Sequence, residues 1–245
     1  MTNKNPNGYI IYKGPSLLDK KPIVVIALAK SVNTKTGNMV QTYILREDID
    51  PRLANKTGQD FSICGNCPLK GEPHNEKGRA TAKNRACYVN LGQGVLISYN
   101  QYKKGAYPMA TNKQIKDIGA GRVVRLGTYG DPASVPRKIW DVLLKDCVHH
   151  TGYSHQHNLK DSYQDITMKS VETLTQAQQS WNKGIRTFRT INNIKELVKG
   201  NEILCPASKE AGRVNTCLTC QLCSGSKNNK FNSKGIKNNV AIVMH

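Results

Sequence analysis

Seven of the eight cysteines fall into two groups whose spacing suits metal chemistry. The later group begins with Cys205-Pro206 and continues with Cys217, Cys220 and Cys223, in the pattern C-P-x10-C-x2-C-x2-C. Thiolates at x2 spacing can turn toward one centre, and the remote cysteine supplies a fourth sulfur. A four-thiolate Zn²⁺ site takes the same ligands. Zinc knuckles normally use two CxxC pairs, so a run of three favours a [4Fe–4S] cluster. The earlier group is Cys64-x2-Cys67-Pro68 followed by Cys87. Three thiolates leave a fourth position with three readings. His74 completes a zinc site, Cys147 serves from a distance, or one iron of a cluster stays open to a ligand.

A second set of residues lies where β/α enzymes place their chemistry, at the C-terminal ends of strands. After the RVVRL segment come Arg125, Gly127, Tyr129, Gly130 and Asp131, in RLGTYGDP. The glycines let backbone approach a ligand, and Asp131 can accept a hydrogen bond from a ribose or an amine. An ordinary turn into the next helix explains the same residues. His149, His150, His155 and His157 crowd one segment, and x1 spacing on a strand puts His155 and His157 on one face. Lys169 and Glu172, at the end of ITMKSV, and Arg186 and Arg189 along IRTFR would flank the same rim. The competing reading is a salt-bridged strand edge. Arg125, Tyr129, Asp131 and His155 are the candidate catalytic residues, and Gly127, Gly130, Lys169 and Glu172 the candidate cofactor contacts.

The elements that must position these residues begin with strands. Residues 9–12 (YIIY) and the Val/Ile-rich 22–30 read as strands, turn residues 33–37 (NTKTG) follow, and 39–45 resumes a strand, which makes a hairpin. Residues 48–86 are rich in Gly, Pro, Asn and Lys, and a loop this long is functional or held by a ligand. Beyond residue 90 strands and helices alternate. Segments 94–98 (GVLIS), 122–126, 150–154, 166–171, 185–191, 202–204 and 240–244 read as strands. Helical spacing covers 112–118, 135–147 with Pro136 in its first turn, and 173–183 with Thr173 as N-cap. A further helical turn spans 194–198. Repeated β-then-α units make a parallel sheet. Fewer strands are countable than a closed eight-stranded barrel needs. The expected fold is α/β, a partial or distorted parallel β/α barrel with an N-terminal β-hairpin region and metal-bound loops, and a doubly wound sheet is second. The organisation expected is 1–90, with strands and the first cysteine loop, and 91–245, with the β/α body and the four-cysteine site, in one compact domain.

Composition narrows the classes. The chain has 245 residues, 38% hydrophobic and 22% charged, enough for a packed core. Its longest apolar run, 23–29, is far short of the roughly 20 residues a membrane helix needs. The opening MTNKNPNGY lacks an apolar secretory region, so a reducing, cytoplasmic setting is expected, in which clustered cysteines bind metal before forming disulfides. Lysine and arginine number 36 against 17 acidic residues, a net charge of +19. A nucleic acid or another polyanion is therefore a natural partner, since phosphate contact releases counterions. The basic residues are dispersed, with short concentrations such as Lys103-Lys104 and 227–237, and the competing reading is a solvated basic surface.

Taken together, SICGNCPLKG…RACYVNLGQG, RLGTYGDPASVP, SVETLTQAQQSWNKGIRTFR and CPASKEAG…TCLTCQLCSG resemble an uncharacterised family of bacteriophage proteins across nearly the whole chain. That resemblance implies expression in bacterial cytoplasm and names no substrate. More distantly, an incomplete barrel with a three-cysteine site and a four-cysteine site is similar to radical S-adenosylmethionine enzymes with an auxiliary cluster. Those enzymes present CxxxCxxC in one short loop, whereas the spacing here is CxxC-x19-C. The expected function is an iron–sulfur protein of radical or redox type, with S-adenosylmethionine or another small molecule as ligand. The alternative is a zinc-stapled, basic nucleic-acid-binding protein without enzymatic activity.

Overall fold

In the computed structural model the described residues are 6–30, 34–156, 163–212, 215–226 and 238–244. His157 and the lysine-rich stretch 227–237 lie outside them. The chain opens with three strands, β1 (Gly8–Pro15), β2 (Pro22–Leu28) and β3 (Val40–Arg46). β2 pairs antiparallel with both neighbours. Its PIVVIAL sequence buries Ile23 through Ala27 completely, as a central strand covered on both faces requires. Helices α1 (Pro51–Lys56) and α2 (Phe61–Cys64) then carry the chain into the first cysteine loop.

Segment 94–98 is not a strand. An irregular turn, Leu91–Val95, leads into helix α3 (Leu96–Lys103), and the Asn90 side chain accepts from the Gly92 amide at 2.8 Å. A short apolar run does not by itself separate strand from helix. Val95, Ser98 and Tyr99 are the buried positions, at helical spacing. Helix α4 (Asn112–Gly119) follows, closed by a capping box between Thr111 and Gln114. Strand β4 (Val123–Tyr129) pairs parallel with β3. In helix α5 (Arg137–Leu144) Pro136 is the N-cap rather than a first-turn residue. Trp140, fully buried, donates its indole N–H to the Pro132 carbonyl at 2.8 Å.

Strand β5 (His149–Thr151) joins β4, and β6 (Tyr153–Ser154) begins the second sheet one residue later. Gly152 between them donates to the Cys223 carbonyl and accepts from Met168, each at 2.9 Å. β7 (Met168–Val171), α6 (Leu174–Asn182), β8 (Thr187–Ile191), β9 (Glu202–Leu204), α7 (Cys217–Cys220) and β10 (Asn239–Val243) complete the chain. The sheets run β1-β2-β3-β4-β5 and β6-β7-β8-β10-β9, and every pairing from β3 onward is parallel. The protein is thus a mixed α/β structure with two parallel-rich sheets and an N-terminal strand series. The sheets divide at Gly152, and β3 and β4, on either side of residue 90, share one sheet. Among the described residues no helix is long and apolar enough to cross a membrane.

Candidate functional site

A cavity of about 1510 Å³ receives side chains from both sheets. Its wall takes Gln41 and Tyr43 from β3, Arg125, Gly127 and Tyr129 from β4, Tyr153 from β6, Ser170 from β7, Phe188 and Thr190 from β8 and Ile242 from β10. Residues two apart on a strand point to one face, so these strands turn a common face toward the cavity. Cys64, Cys67 and Cys87 border it, and so do Cys205 and Cys217 of the other group. Asp131, His155 and Glu172 lie in the same wall.

Backbone and buried amides hold the first cysteine loop. Asn55 donates to Asp60 at 2.8 Å and to the Lys70 carbonyl at 2.9 Å, and its own carbonyl accepts from Ala82 at 3.0 Å. The Asp131 amide donates to the Ile63 carbonyl, and Gln156 donates to that of Cys64 at 3.1 Å. Arg85 donates to the carbonyls of Cys87 and Val89. Burial raises the Cys64 thiol well above its ordinary pKa, and the nearby Asp60, Cys67 and Cys87 push it further. Burial likewise raises Cys87. The Tyr129 hydroxyl is buried beside Cys64 and Cys87 with no hydrogen-bond partner among the described residues.

His155 stands between this loop and β7. Its Nε2 lies 2.7 Å from Glu172 Oε1, and its ring also bonds the Cys67 sulfur. Burial opposes its charge, but these two partners outweigh burial and raise its pKa to about 10. Asp131 caps the turn Pro132–Ser134 and accepts the His155 amide at 2.8 Å, tying the ends of β4 and β6 together. Gly127 and Gly130 both have positive φ. A Cβ at Gly127 would meet the Gly130 carbonyl, and one at Gly130 would meet Ile44. The bend at the end of β4 therefore accounts for both glycines, and both also border the cavity.

The second cysteine group hangs on the strand ends. Cys205 donates its amide to Ala241 at 2.8 Å, and Cys217 to the Lys35 carbonyl at 3.1 Å. Arg186 donates to the carbonyls of Leu222, Gly225 and Asn238. Buried His149 bonds the Gln221 carbonyl and buried His150 that of Ile166. Burial raises Cys205 and Cys220, and raises Cys223 to about 12 against a hydrogen bond from Tyr153. Arg125 approaches Cys217 Sγ at 3.8 Å and lies 5.4 Å from the centre of the Tyr153 ring.

Not all candidates meet here. Lys169 is outside the cavity wall. Arg189 pairs with buried Glu202 at 2.6 Å on the face of β8 opposite Phe188, the salt-bridged reading. Both ring nitrogens of His74 serve its own loop, Nδ1 accepting from Glu76 and Nε2 facing the Thr81 carbonyl at 2.8 Å. Cys147 is buried among core side chains such as Trp140 and Leu143. Tyr153, Gln156, Asn55 and Tyr43 were not singled out from the sequence. The one sequence signal for Tyr153 is its place two residues before His155, which on a strand puts both on one face.

None of the eight cysteines forms a disulfide. Among the described residues no three Cys, His, Asp or Glu side chains converge closely enough to hold an ion, so ligation by either group requires its thiols to turn inward. The donor chemistry nevertheless fits a soft cation. Buried thiols that disfavour one another's ionisation are relieved by a thiophilic metal. No family model, curated protein or solved structure matches the chain.

Proposed function

We propose that the protein is an iron–sulfur enzyme of radical or redox type, built on a partial β/α barrel. The observation that supports this reading is the single cavity bordered by Cys64, Cys67 and Cys87 on one side and by Cys205 and Cys217 on the other. Cys64, Cys67 and Cys87 would hold one cluster with a coordination position left open. Cys205, Cys217, Cys220 and Cys223 would hold a second, fully ligated one. Such clusters supply one-electron chemistry and, at an open iron, a place to hold a small molecule such as S-adenosylmethionine.

The chain's own residues would shape what enters. Glu172 orients the His155 ring through Nε2. Asp131 fixes the ends of β4 and β6, so that Gln156 can brace the Cys64 carbonyl. Tyr129 offers a hydroxyl, unpaired among the described residues, beside the three-thiol group. Enclosing the reacting centre in a cavity limits side reactions with water. The reading also takes the bacteriophage resemblance as its biological setting, with expression in bacterial cytoplasm.

Iron and sulfide content of anaerobically purified protein tests it. The expected outcome is iron with acid-labile sulfide in near-equal amounts. Zinc as the metal, together with salt-sensitive binding to DNA or RNA, would replace it with the stapled nucleic-acid-binding reading.

A further inference from the structure

Most arginines drawn into the protein have their charge met by oxygen. Arg189 pairs with Glu202, Arg46 with Asp48 and Arg137 with Asp165, while Arg186 and Arg85 are surrounded by carbonyls. Arg125 differs. Its guanidinium meets the neutral Tyr153 hydroxyl and lies near Tyr43, Cys217 and Cys223, and no carboxylate among the described residues pairs with it. It is only partly accessible, and it borders the cavity. A guanidinium withdrawn from water and left without an anion is costly, and its planar fork matches carboxylate or phosphate oxygens.

The surroundings say what else such a ligand carries. Tyr43, Tyr88, Tyr107, Tyr129, Tyr153 and Phe188 line the same cavity. Tyr153 and Phe188 pack at 4.2 Å between ring centres, and Arg125 sits over the Tyr153 ring. Aromatic walls favour a flat body. At the three-thiol side, the Tyr129 hydroxyl, unpartnered among the described residues, is buried and needs a polar group.

We propose that Arg125 is an anion subsite: the cavity takes a small molecule with a flat, aromatic body whose carboxylate or phosphate sits on the guanidinium beside the second cysteine group. The ligand's other polar end reaches toward Tyr129. This deepens the reading of the cavity as a ligand site and rests on it, but it does not depend on which metal the thiols hold.

The test uses full-length protein as purified, at about 0.2 M salt so that exposed lysines are screened. Benzoate, phenyl phosphate and the neutral benzamide are titrated by calorimetry. Saturable one-site binding of an anion is expected, at least about tenfold tighter than benzamide, because charge-assisted bonds are the stronger ones. Which anion binds tighter distinguishes a carboxylate ligand from a phosphate one. Arg125→Gln should erase the preference and Arg125→Lys keep part of it. If Arg125→Gln does not fold, the wild-type protein still decides. Phenylglyoxal labelling of Arg125, followed by mass spectrometry, should be slowed by the preferred anion and not by benzamide. Equal affinity for benzoate and benzamide, no anion binding at about 10 mM, unslowed labelling, or a folded Arg125→Gln that keeps the preference would each overturn the subsite. Iron content is measured on the same sample. Iron and sulfide without anion preference sinks only this inference, and anion preference without iron sinks only the cluster reading.

Discussion

The two cysteine groups face one cavity but are held in different ways. The first lies in a loop knitted by its own side chains, with Asn55 bonded at three points and Asp60 buried beside Cys64. The second is suspended from Gly152, β10 and the turn before β3 by backbone amides, and by the side chains of His149 and Arg186. Their electrostatics also differ. Asp60 stands close to the first group together with Lys70, Arg85 and His155, whereas Arg125 stands close to Cys217 of the second. The first loop is thus preorganised by its own fold, and the second gains its order from the metal it would bind and the strands it joins.

The largest effect separating the two should come from removing thiols. Cys217→Ser with Cys220→Ser takes half the ligands from the suspended loop. Binding is linked to folding there, so several kcal/mol should be lost. At roughly 2–4 °C per kcal/mol for a chain of this size, the melting temperature should fall by about 10 °C or more. Cys64→Ser with Cys67→Ser should lose its metal while melting much nearer to wild type. Calorimetric scans of both variants check this, and equal melting temperatures would remove the distinction between the loops.

A smaller effect should follow from Asn55→Ala. The side chain is buried, and its loss removes the hydrogen bonds it makes to Asp60 Oδ2, the Lys70 carbonyl and the Ala82 amide. A cost of about 2–3 kcal/mol is expected. Metal should be lost from the first group alone. Metal analysis showing equal loss from both groups would mean that the loops are not independent.

Much of the strand series was legible because β-branched runs such as IVVIA in β2 fill both faces of a central strand. The N-cap at Thr173 was equally legible, being local in sequence, whereas the capping box at Thr111 was passed over. Segment 94–98 was misread because its few apolar residues fit either period. The cysteine groups could be found from spacing alone. What spacing could not give is that both border one cavity, which depends on Gly152 carrying the chain from β5 to β6. Nor could it give Arg125 beside Tyr153 and Cys217, a meeting of residues from three distant segments. His74 looked like a ligand by type, and its loop uses both nitrogens instead.

The smallest effect tests how far upstream the first loop's own fold extends. Asp50 is the N-cap of α1, the helix that carries Asn55, and it accepts from the Arg52 amide at 2.8 Å and pairs with its guanidinium at 3.1 Å. Burial alone would raise its pKa, but the Arg52 contacts outweigh burial and hold it below the usual carboxylate range. A carboxyl with a depressed folded pKa contributes stability above its unfolded pKa, near 4, and loses it as the pH falls through the folded value. Asp50→Ala should therefore cost about 1 kcal/mol at neutral pH. The gap to wild type should narrow as the solution is taken below about pH 4, a window read by denaturant melts at neutral and acid pH. If α1 anchors the first loop, the variant should also release metal from Cys64, Cys67 and Cys87 sooner to a chelator while the second group is unaffected. A gap that stays constant with pH would mean that the carboxylate charge plays no part in holding the helix, and unchanged release would place the loop's anchorage entirely downstream of α1.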